Sequence, residues 1–251
     1  MATRALLYRR PAEPATLLVK HGSQIYSIRL RRHRRARRYT LRIHPSDREA
    51  ILTMPPRGTI ADAKDFAQRH GGWIAARLGR LPKAAPFLPG TVVPLRGLAH
   101  RIVHRAGVRG TVWTEVRDSG ERILCVAGAA EHIERRIHDY LKREVRRDLQ
   151  KAAQSYAQEL GVKVKRLSVR DQSSRWGSCT SAGSLSFSWR LILAPPYVLD
   201  YLAAHEVAHL VEMNHSARFW RVVARVCGHV ERAKTWLDTC GNDLHRYGVE
   251  D

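Results

Sequence analysis

Cysteine is scarce in this sequence, and long apolar runs are absent from it. The four cysteines, Cys125, Cys179, Cys227 and Cys240, show no C-x-x-C spacing, which argues against a disulfide framework. No stretch reaches the ~18 uninterrupted apolar residues that a membrane span requires. The N-terminal segment also lacks the apolar core of a secretory signal. We therefore expect reduced thiols, a cytoplasmic protein and no membrane partner.

Acidic residues are also few, which leaves a strong positive charge. The 251 residues include 44 Lys and Arg against 23 Asp and Glu, a formal net charge of +21. Only 8 of the 44 are lysine, and such an arginine bias arises from a GC-rich genome as readily as from function. Eight arginines nevertheless fall between Arg29 and Arg42, and guanidinium groups bind phosphates in a bidentate manner. Non-specific nucleic acid is therefore an expected partner of this segment.

The segment from His205 to His215, HEVAHLVEMNH, carries the strongest chemical signal. On a helix, His205 and His209 are one turn apart, so both imidazoles project from one face. Such a pair binds Zn²⁺, and a third protein ligand with a water molecule completes a catalytic site. Glu206 follows the first histidine directly and is the expected general base. We expect one Zn²⁺ per chain.

His215 is the first candidate for the third ligand, with Glu231 second and His229 third. The spacing equals that of metzincins, HExxHxxGxxH, but Glu212 stands where those enzymes have glycine. Because other residues adopt the backbone angles of that glycine only at a cost, the chain needs another route to His215. We expect a slightly longer helix, followed by a turn assisted by Asn214.

A longer string of motifs surrounds this segment. Arg175-Trp176-Gly177-Ser178-Cys179 comes first, Ser188-Trp189-Arg190-Leu191 follows, and Asn-His-Ser-x-x-Phe-Trp overlaps the end of the histidine segment. In this order the run resembles the YgjP-like metallopeptidase family, which is related to the SprT-like zinc proteases. The resemblance implies that His205, His209 and His215 are zinc ligands and that Glu206 is the catalytic base. The relatives suggest proteolysis, including that of proteins attached to DNA, and some YgjP-like members are linked to nucleotide hydrolysis.

Hydrophobic periodicity predicts an α+β protein without an internal repeat. Alternation favours strands at residues 24–30, 39–43, 50–54, 101–104, 111–116, 122–126, 165–170 and 185–193, and the helical period favours helices at 60–81 and 131–160. We expect an arginine-rich β/α region at residues 1–90, a β-hairpin-rich connecting region at 91–128 and a zincin-like metallopeptidase domain at 129–251. In that domain the active-site helix should pack on a small mixed sheet.

The strand predicted at residues 185–193 is the expected substrate-binding element. An extended peptide adds to an exposed sheet edge through main-chain hydrogen bonds, so Ser188, Trp189 and Arg190 are candidate substrate contacts. The oxyanion formed during hydrolysis needs a donor beyond the metal. Arg190, His229 and Tyr247 are the candidates for that donor.

These features predict a zinc-dependent metallopeptidase that cleaves polypeptides, including proteins associated with nucleic acid. A zinc-dependent hydrolase of nucleotides or other phosphorylated small molecules is the alternative, favoured by the arginine surplus. A non-enzymatic nucleic-acid binder with a structural zinc is disfavoured. Structural sites usually have a fourth protein ligand, and no cysteine is spaced to provide one.

Overall fold

The computed structural model describes residues 14–44, 47–172 and 175–249, so the segment before Pro14 lies outside the described residues. The chain divides into two compact units, Met1–Leu81 and Pro82–Asp251. Residues 91–128, expected to be a separate connecting region, lie inside the second unit. The reason is a shared core, in which Val93 and Leu124 belong to the same apolar cluster as Ile137 and Leu202.

In its described residues, the first unit is a four-stranded sheet with two helices. Its elements are β1 (Thr16–His21), β2 (Gln24–Arg32), β3 (Thr40–His44), β4 (Glu49–Met54), α1 (Ile60–Arg69) and α2 (Gly71–Gly79). The strand order is β1-β2-β4-β3; β2 and β4 are parallel and the outer pairs are antiparallel. Val19, Ile28 and Leu52 from the strands form a core with Ala63 and Ile74 from the helices.

The single helix predicted at residues 60–81 is wrong, because the structure breaks it at His70. Thr59 caps the start of α1, where its Oγ1 accepts the Asp62 N–H at 3.1 Å. After the break come Gly71 and Gly72, which are poor helix formers. The His21 ring approaches both glycines, and a Cβ at either position would lie 3.2 Å from that side chain.

The second unit begins with a sheet of the same topology as the first. Its strands are β5 (Val92–Leu95), β6 (Leu98–Arg105), β7 (Val112–Val116) and β8 (Arg122–Ala127), in the order β5-β6-β8-β7 with a parallel β6–β8 pair. Helix α3 (Ile133–Glu159) follows this sheet, as α1 follows the first. The chain therefore contains a structural repeat, contrary to the prediction.

The remainder of the second unit builds the predicted catalytic layer. It contains β9 (Arg166–Arg170), β10 (Gly177–Cys179), β11 (Ser184–Ser188), α4 (Pro196–Ala208), α5 (Ala217–Val226) and α6 (Val230–Cys240). The small sheet is mixed, in the order β10-β11-β9, with β11 parallel to β9 and antiparallel to β10. Helix α4 contacts β10, where Gly177 approaches Glu206. The α+β class and the zincin-like arrangement are confirmed.

The strand predicted at residues 185–193 is wrong in length and in position. Strand β11 ends at Ser188, and a 3-10 turn, Trp189–Ile192, follows it. Every side chain from Phe187 to Ala194 is buried, so the apparent alternation reflects a wholly buried run. Strand β11 also lies in the middle of its sheet and offers no free edge. Within the described residues, no helix combines the length and apolarity needed to cross a membrane.

Candidate metal centre

Helix α4 carries the first two histidines and the carboxylate. Two prolines mark its start, with Pro195 as N-cap and Pro196 in the first turn. His205 and Glu206 lie in its last turn, and His209 is the residue that ends it. The helix thus ends at the second histidine, and the longer helix that was expected does not form.

A tight turn then brings His215 back to the helix end. The backbone N–H groups of Val211 and Glu212 donate to the Ala208 carbonyl at 3.0 Å each, which closes the turn. Asn214 assists the reversal as predicted, since its Oδ1 accepts the Ser216 N–H at 2.9 Å. Ser216 then caps α5.

The three imidazoles converge on one point. The Nε2 atoms of His205 and His215 lie 3.1 Å apart, and one ligand nitrogen from each of His205, His209 and His215 lies within 4.8 Å of the others. Zn–N bonds of roughly 2.0–2.1 Å in a tetrahedron separate two nitrogens by about 3.3 Å. The donor set and its spacing therefore fit a zinc ion.

Partners of the other ring nitrogens orient two of these rings. Nδ1 of His209 lies 3.1 Å from the Glu212 carbonyl oxygen, and Nδ1 of His205 lies 3.4 Å from the Tyr201 hydroxyl. A proton on Nδ1 leaves the Nε2 lone pair for the metal. Burial, with smaller contributions from the neighbouring histidines, lowers the pKa of His205 to about 4, and burial also lowers that of His209. Both rings are thus neutral at pH 7, the form that binds metals.

Aromatic side chains of α5 enclose the three rings. Phe219 is fully buried; its ring stacks on His209 with centroids 4.4 Å apart and lies 4.9 Å from both His205 and His215. Trp220 packs edgewise on His205 at 5.8 Å. These contacts restrict ring rotation. No spacing rule in the sequence links these two aromatics to the histidines.

Glu206 is a buried acid with an unsatisfied oxygen. Its side chain lies in a residue only 5% exposed, and Oε2 has no hydrogen-bond partner among the described residues. Burial raises the pKa of Glu206 to about 7, against a smaller opposing influence of Arg175. A buried carboxylate oxygen without a partner, on the helix that carries two of the three histidines, fits a site that holds a metal and a water molecule.

Gly177 makes room for that carboxylate. A Cβ built on Gly177 would lie 2.5 Å from Glu206 Oε1 and 2.8 Å from its Cγ, closer than real carbon contacts. Only glycine therefore allows β10 to approach Glu206 with the side chain in this position. Gly177 belongs to one of the motifs quoted above, yet spacing alone gave no reason to join it to the centre.

The remaining predicted site residues lie elsewhere. Ser188, Trp189 and Arg190 are fully buried, and Arg190 forms an ion pair with Asp171 while its guanidinium lies 4.4 Å from the Trp189 ring. They lie in the core, and their burial gives no support to a role in substrate binding.

Within the part of the chain that the structure describes, neither of the alternative third ligands joins the ligand atoms of the three histidines. Glu231 binds Lys234 at 3.0 Å with its side chain 82% exposed. His229 is grouped with Asp200, and Tyr247 pairs through its backbone with Ala85. Among the described residues, His215 is the candidate that the fold brings to His205 and His209.

Comparison with protein families agrees with this geometry. The family model of the YgjP-like metallopeptidase domain matches residues 37–240. No curated protein and no solved structure matches the chain.

Proposed function

The chain belongs to the YgjP-like metallopeptidase family, and on that basis we propose that it is a zinc-dependent endopeptidase with Glu206 as general base. One observation carries the proposal. The ligand nitrogens of His205, His209 and His215 lie within 4.8 Å of one another, and Glu206, the residue after His205, is buried with an oxygen that has no partner among the described residues. Structural zinc sites lack such a carboxylate and usually have a fourth protein ligand.

The proposed chemistry divides between the metal and Glu206. His205, His209 and His215 would hold Zn²⁺, which would supply Lewis acidity for activating a water molecule and polarising the scissile carbonyl. Glu206 accepts a proton from the water and delivers it to the leaving amine. Burial raises the pKa of Glu206 to about 7 in the metal-free protein, and a bound Zn²⁺ would oppose that shift because a nearby cation favours the carboxylate form that accepts the proton.

Strand β10 is the proposed docking edge for the substrate, in place of residues 188–190. It is the outer strand of its sheet, and Ser178 pairs with Ser186 of β11 in the ladder. The carbonyl oxygen of Trp176 and the backbone N–H of Thr180 also form hydrogen bonds on the side of β10 that faces β11. In an antiparallel ladder the intervening residues direct their backbone groups outward, so Gly177 and Cys179 offer theirs to an extended peptide beside Glu206.

The arginine-rich segment supports nucleic acid as a partner of the first unit. Part of the segment is structural: Arg29 pairs with Asp47 at 3.1 Å, and Arg32 donates to backbone carbonyls that include Pro55 O at 2.8 Å. Five other arginines are exposed and form no ion pair with a described residue; we call Arg31, Arg34, Arg35, Arg37 and Arg38 the arginine patch. Free guanidinium groups at this density attract a phosphate backbone.

A zinc-dependent hydrolase of nucleotides is the second candidate. The observation in its favour is Arg175, an exposed cation whose charge acts on Glu206. In that case the same base would serve attack on a phosphoryl group, with Arg175 binding the phosphate. The four free cysteines support a reducing compartment, and the cytoplasm remains the proposed location.

One experiment separates these candidates. The zinc-loaded protein is incubated with an unfolded polypeptide, with and without DNA, and in parallel with nucleoside triphosphates, and products are identified by mass spectrometry. Peptide fragments produced by the wild type establish the peptidase, and faster cleavage with DNA gives the arginine patch a role. Nucleotide products without peptide fragments would replace the peptidase by the second candidate.

A further inference from the structure

A second group of metal-binding side chains lies in the second unit, outside the histidine centre. Asp200 comes from α4, Cys227 ends α5, and His229 directly precedes α6. One ligand atom from each lies within 4.8 Å of the other two. We propose that Asp200, Cys227 and His229 form a second zinc site that ties the α5–α6 junction to the helix carrying the catalytic residues.

The geometry of the nitrogen and oxygen ligands favours a shared cation over a direct bond. His229 Nε2 and Asp200 Oδ2 lie 3.1 Å apart, close to the roughly 3.3 Å that separates two ligands in a zinc tetrahedron. Despite this short distance, Nε2 is buried and makes no aligned hydrogen bond with any described residue. Two atoms that lie close without pointing at each other are arranged as two ligands of one ion.

The surroundings of Asp200 resemble those of a metal-binding carboxylate. The Tyr156 hydroxyl donates to Asp200 Oδ2 at 2.5 Å, and ligating carboxylates are commonly oriented by such hydrogen bonds. Asp200 also lines a cavity of about 510 Å³, from which water can complete the coordination. Tyr156 lies on α3, so the network reaches the longest helix of the unit as well.

The chemistry of the three ligands selects the metal. Cys227 is only 2% exposed, and a thiolate combined with imidazole and carboxylate favours Zn²⁺ over Mg²⁺ or Ca²⁺, which prefer oxygen ligands. Binding releases the thiol proton to solvent, because the thiolate is the ligand form. His229 and Asp200 keep about a third of their side chains exposed, which gives the ion a path to the buried sulfur.

The second site is distinct from the histidine centre. Asp200 and His205 are five residues apart on α4, which separates them by about 140° around the helix axis. The two sites also differ in a property that can be measured, since only the second contains sulfur. A metal there links α4 to the two helices after it, including α5, which carries Phe219 against the catalytic histidines.

Cobalt substitution provides the test, because Co²⁺ bound to a thiolate absorbs strongly in the near ultraviolet and Co²⁺ bound only to imidazoles does not. The Co²⁺-loaded wild type should show this charge-transfer band and hold about two metal ions per chain. Cys227→Ser should lose the band and one ion. Cys125→Ser, which replaces another buried thiol, should keep both.

Two further variants keep the proposal independent of folding defects and of the peptidase. His229→Gln preserves the thiol but removes a ligand, and should reduce the amount of metal bound at the second site. The double variant His205→Ala/His209→Ala should lose one ion and retain the thiolate band. A wild type that binds one metal without the band, or a band that persists in Cys227→Ser, would overturn the second site without affecting the histidine centre.

Discussion

Replacement of Gly177 by alanine should impair catalysis while leaving the metal in place. The added Cβ would lie 2.5 Å from Glu206 Oε1, 2.8 Å from Cγ and 2.9 Å from Cδ. Ordinary contacts between such atoms begin at about 3.5 Å, so the carboxylate has to move by about 1 Å. A misplacement of that size costs a catalytic group about 100-fold in rate, or about 2.7 kcal/mol of transition-state stabilisation.

The assay is kcat/KM on an unfolded polypeptide, measured together with zinc content and Tm. We expect Gly177→Ala to lower kcat/KM by about 100-fold with zinc content unchanged, because the hydrogen bonds that orient His205 and His209 involve Tyr201 and Glu212 rather than β10. Gly79→Ala is the matched control, since a Cβ there meets no atom within 4 Å. Full activity in a folded, zinc-loaded Gly177→Ala protein would refute the placement of Glu206 against β10.

Three other perturbations test separate parts of the account. His215→Ala should weaken zinc binding by more than the roughly 10–100-fold lost when a residue hydrogen-bonded to a metal ligand is removed. Glu231→Ala should leave the zinc Kd unchanged. The reverse result in zinc titrations would make Glu231 the third ligand. Replacement of four arginines of the arginine patch should reduce the salt slope of DNA binding by about 3 to 4, as measured by fluorescence anisotropy. If replacement of four basic residues on α3 reduces the slope equally, DNA binding depends on overall charge and not on the arginine patch. Burial lowers the pKa of His138, so the fold favours its neutral form; stability should be full above the ordinary pKa near 6.5 and decline as pH falls toward the lowered value. His138→Phe should flatten this acid limb in urea denaturation, and an unchanged limb would contradict the assignment.

The sequence predicts the local part of the candidate site and misses the part made by tertiary contacts. Helix α4 is recognisable because its prolines, its apolar residues and the histidine spacing all lie within one short segment. Strand β10 has only three residues and is defined by its pairing with β11, so it is too short to be predicted from hydrophobic periodicity. For the same reason Gly177 could not be joined to Glu206, which is 29 positions away in the chain.

The errors in the fold have similar physical origins. Complete burial from Phe187 to Ala194 removes the contrast between the two faces of a strand, so alternation there is a false signal. The repeated sheets share strand order and two-residue hairpin turns, with His21 opposite Gln24 in one and Leu95 opposite Leu98 in the other. The two sheets are alike in backbone topology, but their side chains fill different cores, so the likeness is not visible in the sequence.

The role of Glu206 as general base is tested by measuring zinc content and polypeptide cleavage together in the wild type and in Glu206→Gln. Glutamine keeps the size of the side chain but cannot take up the proton. We expect both proteins to bind the same amount of zinc at the histidine centre and only the wild type to produce fragments. Cleavage by Glu206→Gln at the wild-type rate, or loss of zinc from that centre in the variant, would contradict the assignment of Glu206 as the base.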